Sequence, residues 1–155
     1  MSQPAPIVSA QSVRPDMTAE LMAKTGLDDD VLTALVHQFY GKVRADPMLG
    51  PVFEERIADW DAHLARMVAF WSSVALMTGR YNGTPMRAHM NLPVTWAHFE
   101  HWLELFRATA AETCTPEGAA YLIVRAERIA RSLNMAIEGF SALIPGATRE
   151  GGDET

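Results

Sequence analysis

The sequence predicts a single domain with an all-α fold. Apolar residues recur at helical spacing in four stretches of the chain, and no stretch reads as a convincing strand. The chain has 155 residues, of which 48% are hydrophobic, and this suffices for one domain of about 150 residues with an ordinary core. A chain of about this length buries roughly two thirds of its unfolded surface, so neither disulfides nor structural zinc are needed to hold it together.

The first helix is predicted from Asp28 to about Ala45. It begins in an acidic run at residues 28–30, which suits the positive end of a helix dipole. Its apolar residues follow the spacing i, i+3, i+4, i+7 and i+11: Leu32, Leu35, Val36, Phe39 and Val43. The prolines and glycine of residues 47–51 break the pattern.

Three further helices are predicted along the chain. The second begins after Asp59 and ends at Gly79, and its apolar face includes Trp60, His63, Leu64, Met67, Trp71 and Val74. Thr95 caps the third, whose apolar face includes Phe99, Trp102, Leu103, Phe106 and Ala110. Residues 115–117, Thr-Pro-Glu, start the fourth, which runs to about Phe140.

Both ends of the chain are predicted to be loose. Residues 1–27 form an N-terminal extension whose first sixteen residues hold three prolines and show no periodicity. Within this extension, residues 18–24 allow only a short helical turn. The helical domain covers residues 28–141, and the Gly-rich, polar residues 142–155 form a C-terminal tail.

Composition narrows the classes of partner. The single cysteine, Cys114, excludes an intramolecular disulfide, a zinc ribbon and C-x-x-C motifs. A net charge of −6 argues against nucleic acid and against an anionic membrane surface as partners. No run of about eighteen apolar residues and no secretion signal is present. We therefore expect a cytoplasmic protein that binds neither nucleic acid nor membrane.

Three polar groups are predicted to lie among apolar ones. His63 falls on the apolar face of the second helix, where an imidazole costs desolvation energy unless something binds it. Tyr40 and Trp102 bring a hydroxyl and an indole N–H from the first and third helices toward the same interior. Either backbone carbonyls accept these hydrogen bonds, or the three residues converge as donors around a small ligand in an apolar cavity.

A fifteen-residue connection, Gly79 to Pro93, joins the second and third helices and contains His89. A connection of this length in a small domain is usually functional or disordered. His98 and His101 lie mostly off the apolar face of the third helix, so they look like a solvated flank and a weak zinc site. The motifs of serine hydrolases, zinc proteases, P-loop proteins and dinucleotide-binding proteins are absent.

Four segments together resemble the group III truncated haemoglobins. They are FYGKVRADPMLGPVF (39–53), DWDAHLARMVAFW (59–71), GRYNGTPMRAHMNLP (79–93) and FEHWLELF (99–106). The resemblance extends from about Asp28 to Glu138, which is nearly the whole helical domain. It implies a shortened globin, in which a two-over-two helical sandwich surrounds haem b.

The resemblance assigns a role to individual residues. The ligand of the haem iron falls on His89, and the residues that face a bound gas fall on Tyr40, His63 and Trp102. Phe39, Met67, Phe70 and Trp71 are then expected to line the haem pocket, with Met67 in a position where relatives often carry an aliphatic side chain.

The function that the resemblance implies is reversible binding of dioxygen, nitric oxide, carbon monoxide or a similar small ligand at a five-coordinate haem iron. An unidentified reductase is expected to serve it. Two alternatives stay open at the level of sequence. One is a haem enzyme that uses the same pocket for peroxide chemistry or for the reaction of nitric oxide with oxygen, and the other is a helical interaction domain without a cofactor.

Overall fold

A computed structural model describes residues 10–85, 89 and 92–143 of the chain. Over these residues the regular structure consists of six helices and no strand: α1 (Ala10–Thr25), α2 (Asp29–Ala45), α3 (Gly50–Arg56), α4 (Trp60–Leu76), α5 (Trp96–Thr113) and α6 (Pro116–Leu143). The all-α prediction is confirmed. None of the helices in this part of the chain combines the length and apolar character that crossing a bilayer requires.

The four predicted helices are α2, α4, α5 and α6, and local sequence explains where two of them begin. The Asp28 carboxylate accepts a hydrogen bond from the Val31 N–H at 2.8 Å, which caps α2. The Asp59 carboxylate caps α4 in the same way, through the Ala62 N–H at 3.1 Å. An N-cap of this kind satisfies one of the N–H groups that the first helical turn leaves without a partner.

Residues 47–51 do not merely interrupt the helical pattern, because a short helix, α3, begins within them. Pro51 stands in the first turn of α3, where a backbone N–H has no intrahelical partner and its loss costs nothing. Asp46 supports this turn, since one of its carboxylate oxygens accepts from the N–H groups of Met48 and Leu49, each at 2.9 Å. The proline and glycine that end the pattern of α2 are therefore also the residues with which α3 begins.

The expectation of a loose extension over residues 1–27 is wrong for residues 10–25, which form α1. The Thr18 hydroxyl donates to the carbonyl of Leu76 at the end of α4. The Thr115 hydroxyl, just before α6, donates to the Thr25 carbonyl at 2.9 Å. Tertiary hydrogen bonds therefore hold α1 against two other helices. Residues 1–9, and residues 144–155 of the expected tail, lie outside the described part of the chain.

The helices pack as two pairs. α2 packs against α4, α5 packs against α6, and α2 also contacts α5. This arrangement agrees with the two-over-two sandwich that the resemblance implies. Aromatic rings lie where the pairs meet: the Trp71 ring of α4 stacks on Phe106 of α5 with centroids 5.0 Å apart, and Phe39 of α2 meets Phe106 edge-on at 5.4 Å. The core thus brings aromatic residues of three helices together beside the site described below.

A polar link joins α5 to the corner between α2 and α3. The His101 Nε2 atom lies 2.6 Å from a carboxylate oxygen of Asp46. Hydrogen bonding to Asp46 raises the pKa of His101. Burial opposes the charged form of Asp46, but hydrogen bonds from His101 and from the backbone outweigh it and lower the Asp46 pKa. His101 is therefore a half-buried structural partner and not part of a solvated flank.

This link predicts a pH dependence of stability. A raised His101 pKa contributes stability that is complete below the unfolded-state pKa of about 6.5 and is lost as the pH rises through the folded-state pKa. A lowered Asp46 pKa contributes stability that is complete above the unfolded-state pKa of about 3.9 and is lost as the pH falls through the folded-state pKa. The pair therefore stabilises the fold most between about pH 4 and about pH 6.5.

Urea denaturation of the wild type and of His101→Gln checks this prediction, because the variant keeps the Asp46 hydrogen bonds to the start of α3. We expect the variant to lose up to about 1 kcal/mol more at about pH 6 than at about pH 8.5. The exposed His37 supplies the control variant, His37→Gln. Equal losses in His101→Gln at both pH values would contradict the link.

Candidate functional site

A cavity of about 490 Å³ lies between α2, α3, α4, α5, α6 and the connection that follows α4. Its volume falls within the range of about 300–1,000 Å³ that is typical of small-molecule and cofactor sites. Seven of the eight residues singled out from the sequence line it: Tyr40, His63, Met67, Phe70, Trp71, His89 and Trp102. The fold therefore brings residues from three helices and one loop to a single site.

Phe39, the eighth residue, is not among the cavity-lining side chains. Only 1% of it is exposed, and its ring packs edge-on against Tyr40 at 4.9 Å and against Trp102 at 5.3 Å between centroids. Phe39 thus lies behind the cavity wall. It orients two of the polar aromatic residues without facing the cavity itself.

Tyr40 and Trp102 each present a hydrogen-bond donor that no described residue accepts. Over residues 10–85, 89 and 92–143, no protein group accepts a hydrogen bond from the Tyr40 hydroxyl or the Trp102 indole. Burial raises the pKa of Tyr40 well above its usual value, so its hydroxyl keeps its proton at neutral pH. Buried tyrosine and tryptophan normally find a polar partner. In the described part of the chain, no backbone carbonyl plays this part for either residue.

His63 adds a third polar group without a partner. Its Nε2 atom is buried and has no hydrogen bond in the described part of the chain. Burial, followed by electrostatic interaction with Arg66 and His89, lowers the pKa of His63 to about 4, so the imidazole is neutral at neutral pH. Its ring meets Tyr40 edge-on, with centroids 5.2 Å apart. A buried nitrogen of this kind is costly unless a ligand contacts it.

His89 differs from His63 in having one ring nitrogen engaged. Its Nδ1 atom lies 2.6 Å from the backbone carbonyl of Pro85. Because a carbonyl can only accept, Nδ1 must carry the proton, and in a neutral ring Nε2 then keeps its lone pair. Histidines that bind metals usually donate their other N–H in this way, which fixes the tautomer and the ring orientation. The Nε2 atom of His89 could therefore bind a metal atom in the cavity.

Three basic residues that line the cavity did not emerge as site residues from the sequence: Arg56, Arg66 and His98. Spacing could have indicated Arg66, which lies one turn after His63. His98 was assigned to a solvated flank, yet its Nδ1 atom accepts from the Thr95 N–H at 3.1 Å and so caps α5. The residue at this position of a capping box is usually glutamate or glutamine, so a histidine there did not indicate a helix cap.

Comparisons with known proteins point to one family. Residues 21–137 match the sequence profile described as bacterial-like globin. A curated relative, the group 3 truncated hemoglobin of Campylobacter jejuni, is 34% identical over 109 residues, which cover 67% of this chain and 86% of the relative. Among solved structures, the crystal structure of group III truncated hemoglobin from Campylobacter jejuni aligns with a TM-score of 0.69 and 32% identity, over 72% of this chain and 91% of that chain.

Proposed function

The chain belongs to the bacterial-like globin family, as a group III truncated haemoglobin, and we propose that it binds dioxygen and similar diatomic gases reversibly at haem b held by His89. One observation carries the proposal. The cavity combines a histidine whose Nδ1 is engaged by a backbone carbonyl with three polar groups: the His63 Nε2 atom, the Tyr40 hydroxyl and the Trp102 indole N–H. The described residues supply no hydrogen-bond partner to any of the three.

The residues of the cavity fit haem in their chemistry. Met67, Phe70 and Trp71 supply apolar and aromatic walls for a flat, apolar ring system. Arg56 and Arg66 bring positive charge to the same cavity, which suits the two carboxylates of haem. His89 offers its Nε2 lone pair to the iron. When bound, haem supplies an iron atom with one open position for a diatomic gas.

The polar residues would then hold the gas. Dioxygen acquires partial negative charge in such a site, so the Tyr40 hydroxyl and the Trp102 indole N–H would each donate a hydrogen bond to it. In a dry pocket, hydrogen bonds to a charged partner are worth about 1.5–3 kcal/mol each. Since Tyr40 does not lose its proton at neutral pH, its donor is constantly available. Slow release of dioxygen follows.

Reversibility is the direct test of this function. Reduced protein titrated with dioxygen should show a change in the haem absorption spectrum that reverses when the gas is removed. Oxidation of the haem on the first exposure to dioxygen, with no reversible phase, would contradict the proposal.

We assign His63 the role of an access gate and not of a second iron ligand. Tyr40 and Trp102 already supply donors, whereas the half-buried His63 lies on α4 beside Asp59 and Ala62, which also line the cavity. We expect His63→Leu to change the association rate of carbon monoxide more than the affinity for dioxygen. Flash photolysis and equilibrium titration measure the two quantities, with His37→Leu as the control. A bis-histidine spectrum in the resting ferrous protein that disappears in His63→Leu would show this role to be wrong.

A second candidate function is a haem enzyme that acts on peroxide, or on nitric oxide together with dioxygen. The buried Nε2 atom of neutral His63 favours it, because that atom can hold a proton beside the ligand. Turnover in the presence of a reductant, compared between the wild type and His63→Leu, separates this function from simple gas binding.

In either case we place the protein in the cytoplasm, where an unidentified reductase would keep the iron reduced.

A further inference from the structure

Trp60 packs against both Tyr40 and His63 but does not itself line the cavity. Its ring meets His63 edge-on at 5.6 Å and Tyr40 at 6.0 Å between centroids, but Trp60 is not among the residues that line the cavity. Trp60 is the first residue of α4 and His63 follows it by three positions, so both side chains lie on one face of the helix. The indole therefore forms the outer support of the His63 ring.

Two charged residues from other helices hold the indole. The Arg44 guanidinium of α2 covers the Trp60 ring at 4.3 Å from its centroid. Arg44 also donates to one carboxylate oxygen of Glu54 in α3 at 2.9 Å, and the Trp60 indole N–H donates to the other at 3.4 Å. Hydrogen bonding to Arg44 and then to Trp60 lowers the pKa of Glu54, which therefore stays charged near neutral pH.

This three-residue bracket of Arg44, Glu54 and Trp60 joins α2, α3 and α4 at one point. An exposed ion pair alone stabilises a protein very little. Here, however, the Glu54 carboxylate accepts hydrogen bonds from both Arg44 and Trp60, and the Arg44 guanidinium also stacks on the Trp60 ring. The bracket is thus suited to fixing the position of one indole more than to stabilising the whole fold.

We infer that Trp60 is a positioning residue for ligand access: the bracket keeps the indole against Tyr40 and His63, and the indole keeps the His63 imidazole inside the cavity. Without the indole, the imidazole can move outward into the space that the ring occupied. Ligands then reach the cavity more often. The inference rests on the proposed function, in which His63 controls access to the site.

Carbon monoxide association after flash photolysis measures the effect in the haem-loaded protein. We expect Trp60→Ala to raise the association rate about twofold to tenfold, the factor that corresponds to losing one aromatic pair. Trp60→Phe keeps the ring packing and should restore most of the wild-type rate. Arg44→Met loses the charge but keeps the side-chain stem, and should raise the rate by a smaller factor than Trp60→Ala.

The matched control is Lys42→Met. Lys42 lies on the same helix as Arg44 and forms an ion pair of similar length, 2.8 Å, with Glu112 on α5, away from Trp60. We expect this variant to leave the rate unchanged. An equal rise in Lys42→Met and Arg44→Met would show that loss of any ion pair from α2 raises the rate, and would overturn the inference.

Coupling to His63 separates positioning from general packing. In a His63→Ala background, Trp60→Ala should have no further effect on the rate, because the imidazole through which it acts is gone. The infrared band of bound carbon monoxide gives a second readout: Trp60→Ala should gain a component at the frequency seen in His63→Ala. A rise in rate that is the same with and without His63 would overturn the inference.

Failure of the inference and failure of the proposed gate give different results. If His63→Ala speeds association and Trp60→Ala does not, only the role of Trp60 is wrong. If His63→Ala itself leaves the rate unchanged, the gate is wrong and the inference falls with it. Should Trp60→Ala not retain haem, Arg44→Met decides: a rise that vanishes in the His63→Ala background supports the bracket, and an unchanged rate overturns it.

Discussion

Replacing His89 with alanine will leave a folded protein that does not retain haem. His89 is the cavity histidine whose Nδ1 is engaged by a backbone carbonyl, at 2.6 Å from Pro85. His63 also lines the cavity, but no carbonyl of the described residues engages its Nδ1 atom as Pro85 engages that of His89. Partners behind a metal ligand are worth about 10-fold to 100-fold in metal affinity. His63 is therefore a poor substitute for His89.

Absorbance of the haem after gel filtration measures retention in His89→Ala, and added imidazole should restore it by filling the space of the lost ring. His63→Ala and the exposed-site variant His37→Ala serve as controls and should both keep haem. Circular dichroism of the haem-free form reports whether the helices persist. Haem retention like that of the wild type in His89→Ala, without imidazole, would contradict the assignment of His89 as the iron ligand.

Tyr40→Phe will speed the release of dioxygen while leaving the release of carbon monoxide nearly unchanged. The change removes one hydroxyl and keeps nearly all the buried ring, including its contacts with Phe39 and Phe53. Dioxygen is polar when bound and accepts the hydrogen bond, whereas carbon monoxide hardly does. The dissociation rate of dioxygen should therefore rise about tenfold for every 1.4 kcal/mol lost.

Trp102→Phe supplies the second arm of the same prediction. The Trp102 indole N–H, on α5, is expected to donate to the same ligand as the Tyr40 hydroxyl. The effects of the two substitutions should therefore not add, and a double-mutant cycle measures their coupling. Stopped-flow dissociation of both gases is recorded from the wild type, the two single variants and the double variant. Equal changes for dioxygen and carbon monoxide would reduce Tyr40 and Trp102 to packing residues.

Apolar periodicity predicted the helices that form the core. It did not predict α1, which is held by tertiary contacts and has no strong apolar face. The residues of α2, α4 and α5 repeat at helical spacing, and side-chain caps at Asp28 and Asp59 are visible in the sequence. In contrast, α1 contains Pro15 and its apolar residues do not gather on one face, and hydrogen bonds with groups distant in sequence help to hold it. No local pattern signals such partners.

The same distinction applies to the site. Tyr40, His63 and Trp102 could be found because a cavity inside a helical sandwich is lined by the faces that build its core. The sequence around His89 shows no apolar periodicity, so only the resemblance to a family selected it as the iron ligand. The partner of His101, Asp46, lies 55 residues away at the corner between α2 and α3, and sequence alone could not pair the two. The role inferred for Trp60 likewise depends on contacts with Arg44 of α2 and Glu54 of α3, which the sequence does not reveal.

The most direct test of gas binding at haem held by His89 is the absorption spectrum of the ferrous protein, recorded without ligand and then with carbon monoxide. We expect a five-coordinate spectrum that carbon monoxide converts completely to a six-coordinate one, with the same ligand-free spectrum in His63→Leu. A ligand-free ferrous spectrum that is already six-coordinate and becomes five-coordinate in His63→Leu would contradict it, because His63 would then occupy the position assigned to the gas.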